Sequence, residues 1–373
     1  MIWRVLLVGL VAALCVPAAW AQRPPETHPA SEQRDIVMTW DRSAMPGDIE
    51  LWASKTVLGY SVDAVFGYGS LHVTCRSNTD SAAGRCPSTG TSGEKGQGVV
   101  TVKLVEQRSG QTSEVGVYGH LNRAMPGRRC SADFWSGDKI PPWSSSVWEC
   151  ATEWPVGTGI SLSLPQAEVS RLVAGKWKGE LILDLNSASS VGAVATYKFL
   201  LDFTITDHNA AAIYLPEFGH ATPTVGLNLR YDPFAHTIGG SKQVDVCLYD
   251  GLGSQSQYLG LTVRDTSGHA SGPTGFSVWH DDGGTDARRR LDYTLTLNHA
   301  GARVSLVNGH EHQLRNIDSV SLRLVMLPGM TYPVYCVPTP ITFETPLVPS
   351  TSKDAGHYGG SLHVELRVPT SSP

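Results

Sequence analysis

The sequence predicts an all-β protein organised as two β-sandwich domains in tandem, and three observations carry that expectation. Short runs of alternating apolar and polar residues recur along the chain, while helix signals are scarce. The 373 residues include 38 Gly and 23 Pro, clustered with Ser and Asn between those runs, a punctuation that suits sandwiches or barrels. Cysteines divide around one polar break near residue 208, with Cys75, Cys86, Cys130 and Cys150 before it and Cys247 and Cys336 after it.

Residues 1–21 read as a secretory signal peptide. Arg4 precedes the apolar run Val5 to Val16, and Ala19-Trp20-Ala21 offers small residues at a cleavage point before Gln22. A retained anchor would need ~20 apolar residues, more than this run supplies. Residues 22–35 are polar and contain Pro, so a loosely held segment is expected before a first strand near Asp35 to Trp40. Further strands are expected at Val99 to Leu104, Leu181 to Leu185 and Phe199 to Ile205, where branched and aromatic residues alternate with polar ones.

The break at Asp207-His208-Asn209, followed by Ala210 to Ala212, separates the last of these from the apolar run Ile213-Tyr214-Leu215. It divides the exported chain into an N-terminal domain of residues 22–207, a linker of 208–212 and a C-terminal domain of 213–373. In the second half, alternation marks Tyr293 to Leu297 and Val320 to Met326, the latter with Val320, Leu322, Leu324 and Met326 on one face. It is plainest at the end of the chain. There Leu362, Val364, Leu366 and Val368 share one face and Ser361, His363, Glu365 and Arg367 the other, a strand regular enough to require a partner.

With Cys15 lost in the signal peptide, six cysteines remain, an even number in an exported chain, which reads as disulfides. Spacing suggests sequential pairs, Cys75 with Cys86, Cys130 with Cys150 and Cys247 with Cys336, among the 15 connectivities that six cysteines allow. No C-x-x-C pair occurs, which disfavours zinc. The formal net charge of −5 argues against a nucleic-acid partner.

No catalytic constellation stands out, and neither cofactor nor metal is expected. G-x-S-x-G, H-E-x-x-H and the phosphate-binding G-x-x-x-x-G-K-[ST] are all missing. His310-Glu311-His312 follows Asn308-Gly309 and reads as histidines on a surface turn; Asp281, Asp282 and Asp286 read as a solvated acidic loop without the order of a calcium loop. More informative is the stretch around Cys130. Arg123, Arg128 and Arg129 precede or abut it, and Phe134, Trp135, Trp143 and Trp148 follow, a composition suited to holding sugars or acidic glycans by charge-assisted hydrogen bonds and stacking. The competing reading buries the tryptophans in the core. Arg123, Arg128, Arg129, Trp135 and Trp143 are therefore the receptor-binding candidates.

Several motifs resemble one known family. Val244-Asp245-Val246-Cys247-Leu248-Tyr249-Asp250-Gly251, then Tyr332-Pro333-Val334-Tyr335-Cys336-Val337-Pro338 and Ala355-Gly356-His357-Tyr358-Gly359-Gly360 are similar to those of the CblD/CfaE-type minor tip subunits of alternate chaperone-usher fimbriae. Ile213 to Phe218 with Leu227 to Arg230 resembles the opening of that family's pilin domain, and Gly175-Lys176-Trp177 with Leu181 to Leu185 resembles a strand of its adhesin domain. The resemblance implies two immunoglobulin-like sandwiches: an N-terminal adhesin domain and a C-terminal pilin domain that lacks one strand. It also favours the three sequential disulfides. Its partners would be a periplasmic chaperone, an outer-membrane usher, the major pilin that donates the missing strand beside Leu362, Val364, Leu366 and Val368, and a host surface receptor, with a glycan expected.

Export through the periplasm to a fimbrial tip follows from the same resemblance. One departure limits it: arginines expected on the adhesin domain of enteric members fall here at about Ser70, Ser187 and Ala188. The rival reading is a secreted β-sandwich carbohydrate-binding module or enzyme.

Overall fold

A computed structural model describes residues 23–128, 133–188, 190–270 and 272–369, so the expected signal peptide, Arg129 and Cys130 lie outside the described residues. Eight strands fill the first half: β1 (Glu32–Asp41), β2 (Ile49–Tyr60), β3 (His72–Cys75), β4 (Gly98–Glu106), β5 (Thr112–Ala124), β6 (Gly157–Leu164), β7 (Gly175–Asn186) and β8 (Ala195–Thr206). They hydrogen-bond in the order β1-β8-β7-β4-β5-β6-β2, with β3 continuing the edge of β7 beyond β4.

The sheet folds onto itself. Trp52 of β2, at one end of that order, lies 4.9 Å from the rings of both Tyr197 and Phe199 of β8, near the other end. Alternation decides which side chains enter the interior: Leu181, Leu183 and Leu185 of β7 are fully buried, as are Val100, Val102 and Leu104 of β4. Burial of each such side chain stabilises the fold by roughly 1.5–3 kcal/mol before ordering costs.

The second half contains β9 (Ala212–Tyr214), β10 (Leu229–Asp232), β11 (Thr237–Val244), β12 (Cys247–Tyr249), β13 (Tyr258–Asp265), β14 (Phe276–His280), β15 (Arg290–His299) and β16 (Ala302–Ser305). It continues with β17 (Glu311–Arg315), β18 (Arg323–Val325), β19 (Val334–Pro338), β20 (Ile341–Pro349), β21 (Tyr358–Gly359) and β22 (Leu362–Arg367). Three sheets result, ordered β10-β11-β20-β15-β14-β21 with β16 on β15, β18-β19-β12-β9, and β17-β13-β22. Antiparallel sheets enclosing a second core, with Leu259, Leu261, Phe276, Leu295 and Val337 at its centre, match the expected all-β class.

The sheet β18-β19-β12-β9 serves both cores. Leu248 and Val337 belong to the second core, whereas Cys247, Tyr249, Val334 and Cys336 on its other face join the first. This arrangement corrects the expected face of Val320 to Met326. Val320 and Leu322 pack on the second core, but β18 begins only at Arg323 and turns Val325 and Leu327 into the first, leaving Leu324 and Met326 about half exposed. The segment passes from one core to the other, so a single alternation cannot run through it.

Cys75–Cys86 and Cys247–Cys336 are bonded as expected, and Cys150 is disulfide-bonded. Between β8 and β9 the chain makes a 3-10 turn at His208–Ala210, where Asp207 donates its backbone N–H to the carbonyl of Gly251 at 2.7 Å.

Candidate functional site

The register of the first sheet sorts its loops into two poles. Asp41, Glu106, Gly175 and Thr206 end or begin their strands at one pole, which meets the second half. There Gln255 donates to Glu106 at 3.3 Å and Arg108 donates to the carbonyls of Ile317 and Val320. Asp207 borders a cavity of about 540 Å³ at this junction, lined also by Arg42, Tyr214, Tyr249 and Met330. Burial raises the Asp207 carboxyl, an effect that Arg42 at 3.3 Å partly offsets. The group is occupied in an ion pair with Arg42. Among the described residues no group of three His, Cys, Asp or Glu is placed to hold a metal ion.

At the opposite pole lie the ends of β2 and β5, the starts of β3 and β6, and the end of β7. Its loops, 61–71, 76–97, 125–156 and 187–194, carry the described candidates Arg128, Trp135 and Trp143 and border Arg123 of β5. The structure disperses those candidates. Arg123 is buried, which corrects the expectation of an exposed guanidinium.

Its Nε and Nη atoms donate to the carbonyls of Ser146 (3.0 Å), Leu71 (2.6 Å) and Ser144 (2.8 Å) and to Thr158 Oγ1 (2.7 Å). Burial without a carboxylate partner lowers its pKa to about 9. The fork of donors instead ties two loops of this pole, 61–71 and 125–156, to the start of β6, which a Lys could not do with the same geometry.

Trp135 is also mostly buried, packed with Tyr60 and Ala124 beneath Lys55, whose Nζ lies 5.9 Å from its ring. Trp143 is half-buried over the start of β4, where its ring would meet a Cβ on Gly98 at 2.5 Å, and its Nε1 donates to Glu94 at 3.3 Å. Arg128 is exposed, its guanidinium 5.2 Å from the ring of Phe134. These side chains therefore form no single patch. Ser70, one of the positions where the resemblance expects arginine, closes a 3-10 turn with its hydroxyl on Gly67 O, and Ser187 is buried.

What sequence reasoning missed lies in the loop 61–71. Phe66 and Tyr68 stack with centroids 5.3 Å apart, and His28 packs edge-on against both. A signal was present in Asp63-Ala64-Val65-Phe66-Gly67-Tyr68-Gly69, where aromatics alternate with turn-forming residues between an apolar strand and a cysteine.

The other candidate set lies at the edge of the second sandwich. β22 pairs with β13, Val364 opposite Val263 and Leu366 opposite Leu261, and no strand among the described residues pairs with its other edge. Leu362, Val364, Leu366 and Val368 face the second core yet are only half-buried. Phe218, Val225 and Leu227, from the irregular segment between β9 and β10, are half-buried against the same core. A row of partly covered apolar residues beside an edge unpaired among the described residues is a surface that an added strand could cover.

Comparison with known proteins covers both halves. The family model for the first domain of CfaE, a subunit of CFA/I fimbriae, matches residues 17–208, and the model for the second domain of CfaE matches residues 211–370. A curated relative, the CFA/I fimbrial protein CfaE of Escherichia coli, is 27% identical over 308 residues, covering 80% of each chain. The crystal structure of CfaE, the adhesive subunit of CFA/I fimbria of enterotoxigenic Escherichia coli, superposes with a TM-score of 0.71 at 23% identity, over 94% of this chain and 95% of that one. A structure of a chaperone-tip adhesin complex of CFA/I fimbriae biogenesis superposes with a TM-score of 0.68 at 23% identity, over 94% and 99% of the two chains.

Proposed function

The chain belongs to the CfaE family of CFA/I fimbrial subunits, and from that premise we propose that it is a fimbrial tip adhesin that initiates pilus assembly and attaches to a host surface receptor. Residues 22–207 are read as the adhesin domain, 208–212 as the linker and 213–373 as the pilin domain. The protein works by binding and not by catalysis. A periplasmic chaperone holds it after export, an outer-membrane usher receives it, and the major pilin completes its second sandwich at the fimbrial tip on the cell surface.

One observation carries this reading: β22 and the residue after it present four half-buried apolar side chains, Leu362, Val364, Leu366 and Val368, beside an edge that no strand among the described residues pairs with. β-augmentation supplies backbone partners to such an edge and covers alternate side chains at the same time. The test is expression of the chain with and without a periplasmic chaperone of the chaperone-usher type. A chain that co-purifies with the chaperone, and exchanges it for a peptide copied from the N-terminus of the major pilin, supports the proposal. A chain that is a stable monomer alone and whose melting temperature ignores that peptide fits a secreted carbohydrate-binding module instead.

A further inference from the structure

We propose that His28, Phe66 and Tyr68 form an aromatic ledge at the far pole of the N-terminal sandwich that binds a neutral glycan, an inference that rests on the adhesin reading above.

The ledge is placed where a tip protein meets its target. Tyr60, Ala124 and Gly157 end or begin their strands there, at the pole opposite the one that contacts the second half, so the loop 61–71 points away from the pilin domain. Several large apolar side chains at this pole are exposed: Val65 by 78%, Trp154 by 58%, Val62 by 54% and Phe66 by 40%. Exposed aromatic clusters in a protein otherwise well packed mark binding surfaces.

The rings are held rigidly, as a recognition surface requires. His28 Nδ1 and the Tyr68 hydroxyl are hydrogen-bonded at 2.8 Å, and the His28 centroid lies 5.1 Å from Phe66 and 5.7 Å from Tyr68. Phe66 closes a 3-10 turn, Ala64–Phe66, capped by the Asp63 carboxylate, which accepts from Val65 N at 3.0 Å; Gly67 follows with φ 62°. Beneath it, Thr158 Oγ1 donates to Tyr68 O at 2.7 Å and itself accepts from Arg123, which also holds Leu71 O. Gly69 sits so close to Pro155 that a Cβ would lie 2.1 Å from its carbonyl oxygen. Arg123, buried and remote from any ligand, thus acts as a positioning residue for the ledge.

The chemistry around the rings selects the ligand class. An aromatic face carries partial negative charge and attracts the C–H groups on the apolar side of a pyranose ring. Carboxylates stand at its border: Glu26 lies 3.9 Å from His28 Nε2 and accepts from Ser61 Oγ at 3.1 Å, and Asp63 caps the turn. Carboxylates accept strong hydrogen bonds from sugar hydroxyls but repel the carboxylate of a sialic acid. Rings beneath and acidic acceptors beside them therefore suit a neutral, hydroxyl-rich sugar.

The test uses the full chain completed by a donor-strand peptide, printed against immobilised galactose-, N-acetylgalactosamine-, fucose- and sialic-acid-terminated oligosaccharides, together with attachment of whole fimbriae to host cells. Binding of neutral glycans that falls at least about tenfold in Phe66→Ala, with an unchanged melting temperature, supports the ledge. Should Phe66→Ala disturb folding, Val65→Glu, a change at a highly exposed position, should give the same loss. Glycan binding unaffected by either variant, or restricted to sialylated probes, overturns the inference. Fimbriae that attach to cells equally well with Val65→Glu sink the ledge but leave the adhesin reading standing, whereas fimbriae that attach to no cell remove the adhesin reading itself.

Discussion

β7 of the first sandwich and β22 of the second each turn a row of alternate apolar side chains toward a core, Leu181, Leu183 and Leu185 in one and Leu362, Val364 and Leu366 in the other, and the two rows have opposite fates. Leu181, Leu183 and Leu185 are fully buried because β7 has β8 on one side and β4 followed by β3 on the other. Leu362, Val364 and Leu366 are half-buried because, among the described residues, β22 has β13 alone as a neighbour. Alternation fixes which face a strand turns inward; whether that face is covered depends on how many neighbours the topology supplies. The first sandwich is complete in one chain, and the second is proposed to be completed by another.

The largest effect should come from the strand proposed to be added beside β22. Donor peptide should raise the melting temperature of the second half in proportion to the alternate side chains it buries, each contributing roughly 1.5–3 kcal/mol before ordering costs. Val364→Asp should abolish that gain and fibre initiation, because the charge would be desolvated under the donor. Leu183→Asp should unfold the first half whether or not donor is present. Equal donor dependence of the two halves, read by differential scanning calorimetry, would erase the distinction.

Removing the disulfides should separate the halves next. Cys247–Cys336 spans 89 residues and Cys75–Cys86 spans 11. Constraint of the unfolded chain grows with loop length, so loss of the first should cost about 4.5 kcal/mol and loss of the second about 3 kcal/mol. Chemical denaturation of the paired Cys→Ala variants checks the order, and the reverse order would point to native-state packing as the dominant effect.

Arg123→Met tests the keystone of the far pole. It leaves the carbonyls of Leu71, Ser144 and Ser146 without their donor, at a cost of about 2–4 kcal/mol confined to the first half. A variant as stable as the parent would mean that water replaces the guanidinium.

Much of the fold was legible because it rests on local pattern. The strands expected near Asp35, Val99, Leu181, Phe199 and Tyr293 all formed, since each runs uninterrupted through one core. Val320 to Met326 failed for the opposite reason: its two ends serve different cores. The receptor candidates around Cys130 were chosen by composition, and composition cannot tell a guanidinium facing solvent from one that knits carbonyls together. Arg123 became internal because two loops and the start of β6 converge on it, a fact of tertiary structure. The half-exposure of β22 was legible as a strand in need of a partner, but its pairing shows that one edge has no partner strand among the described residues.

The smallest expected difference is in acid sensitivity, where the sign follows from histidines. Burial lowers the pKa of His72, with nearby Arg123 adding to the effect and a hydrogen bond to Ser70 opposing it. Burial also lowers that of His120, helped by Lys139. Both lie in the first half, whereas His312, lowered by burial and by His310, is the counterpart in the second. A histidine whose folded pKa is depressed contributes no pH dependence while both states are neutral. As pH falls through about 6.5, the unfolded chain takes up the proton that the folded chain resists, so stability declines by at most about 1.4 kcal/mol per pH unit per histidine until the folded pKa is reached. Two such groups against one predict that the denaturation midpoint of the first half falls more steeply between pH 6.5 and the onset of carboxylate protonation near about 4.5. Replacing His72 by Gln, which titrates nowhere in that range, should flatten the first half's decline toward that of the second. If the slope stays unchanged, proton uptake at His72 is not what weakens the pole.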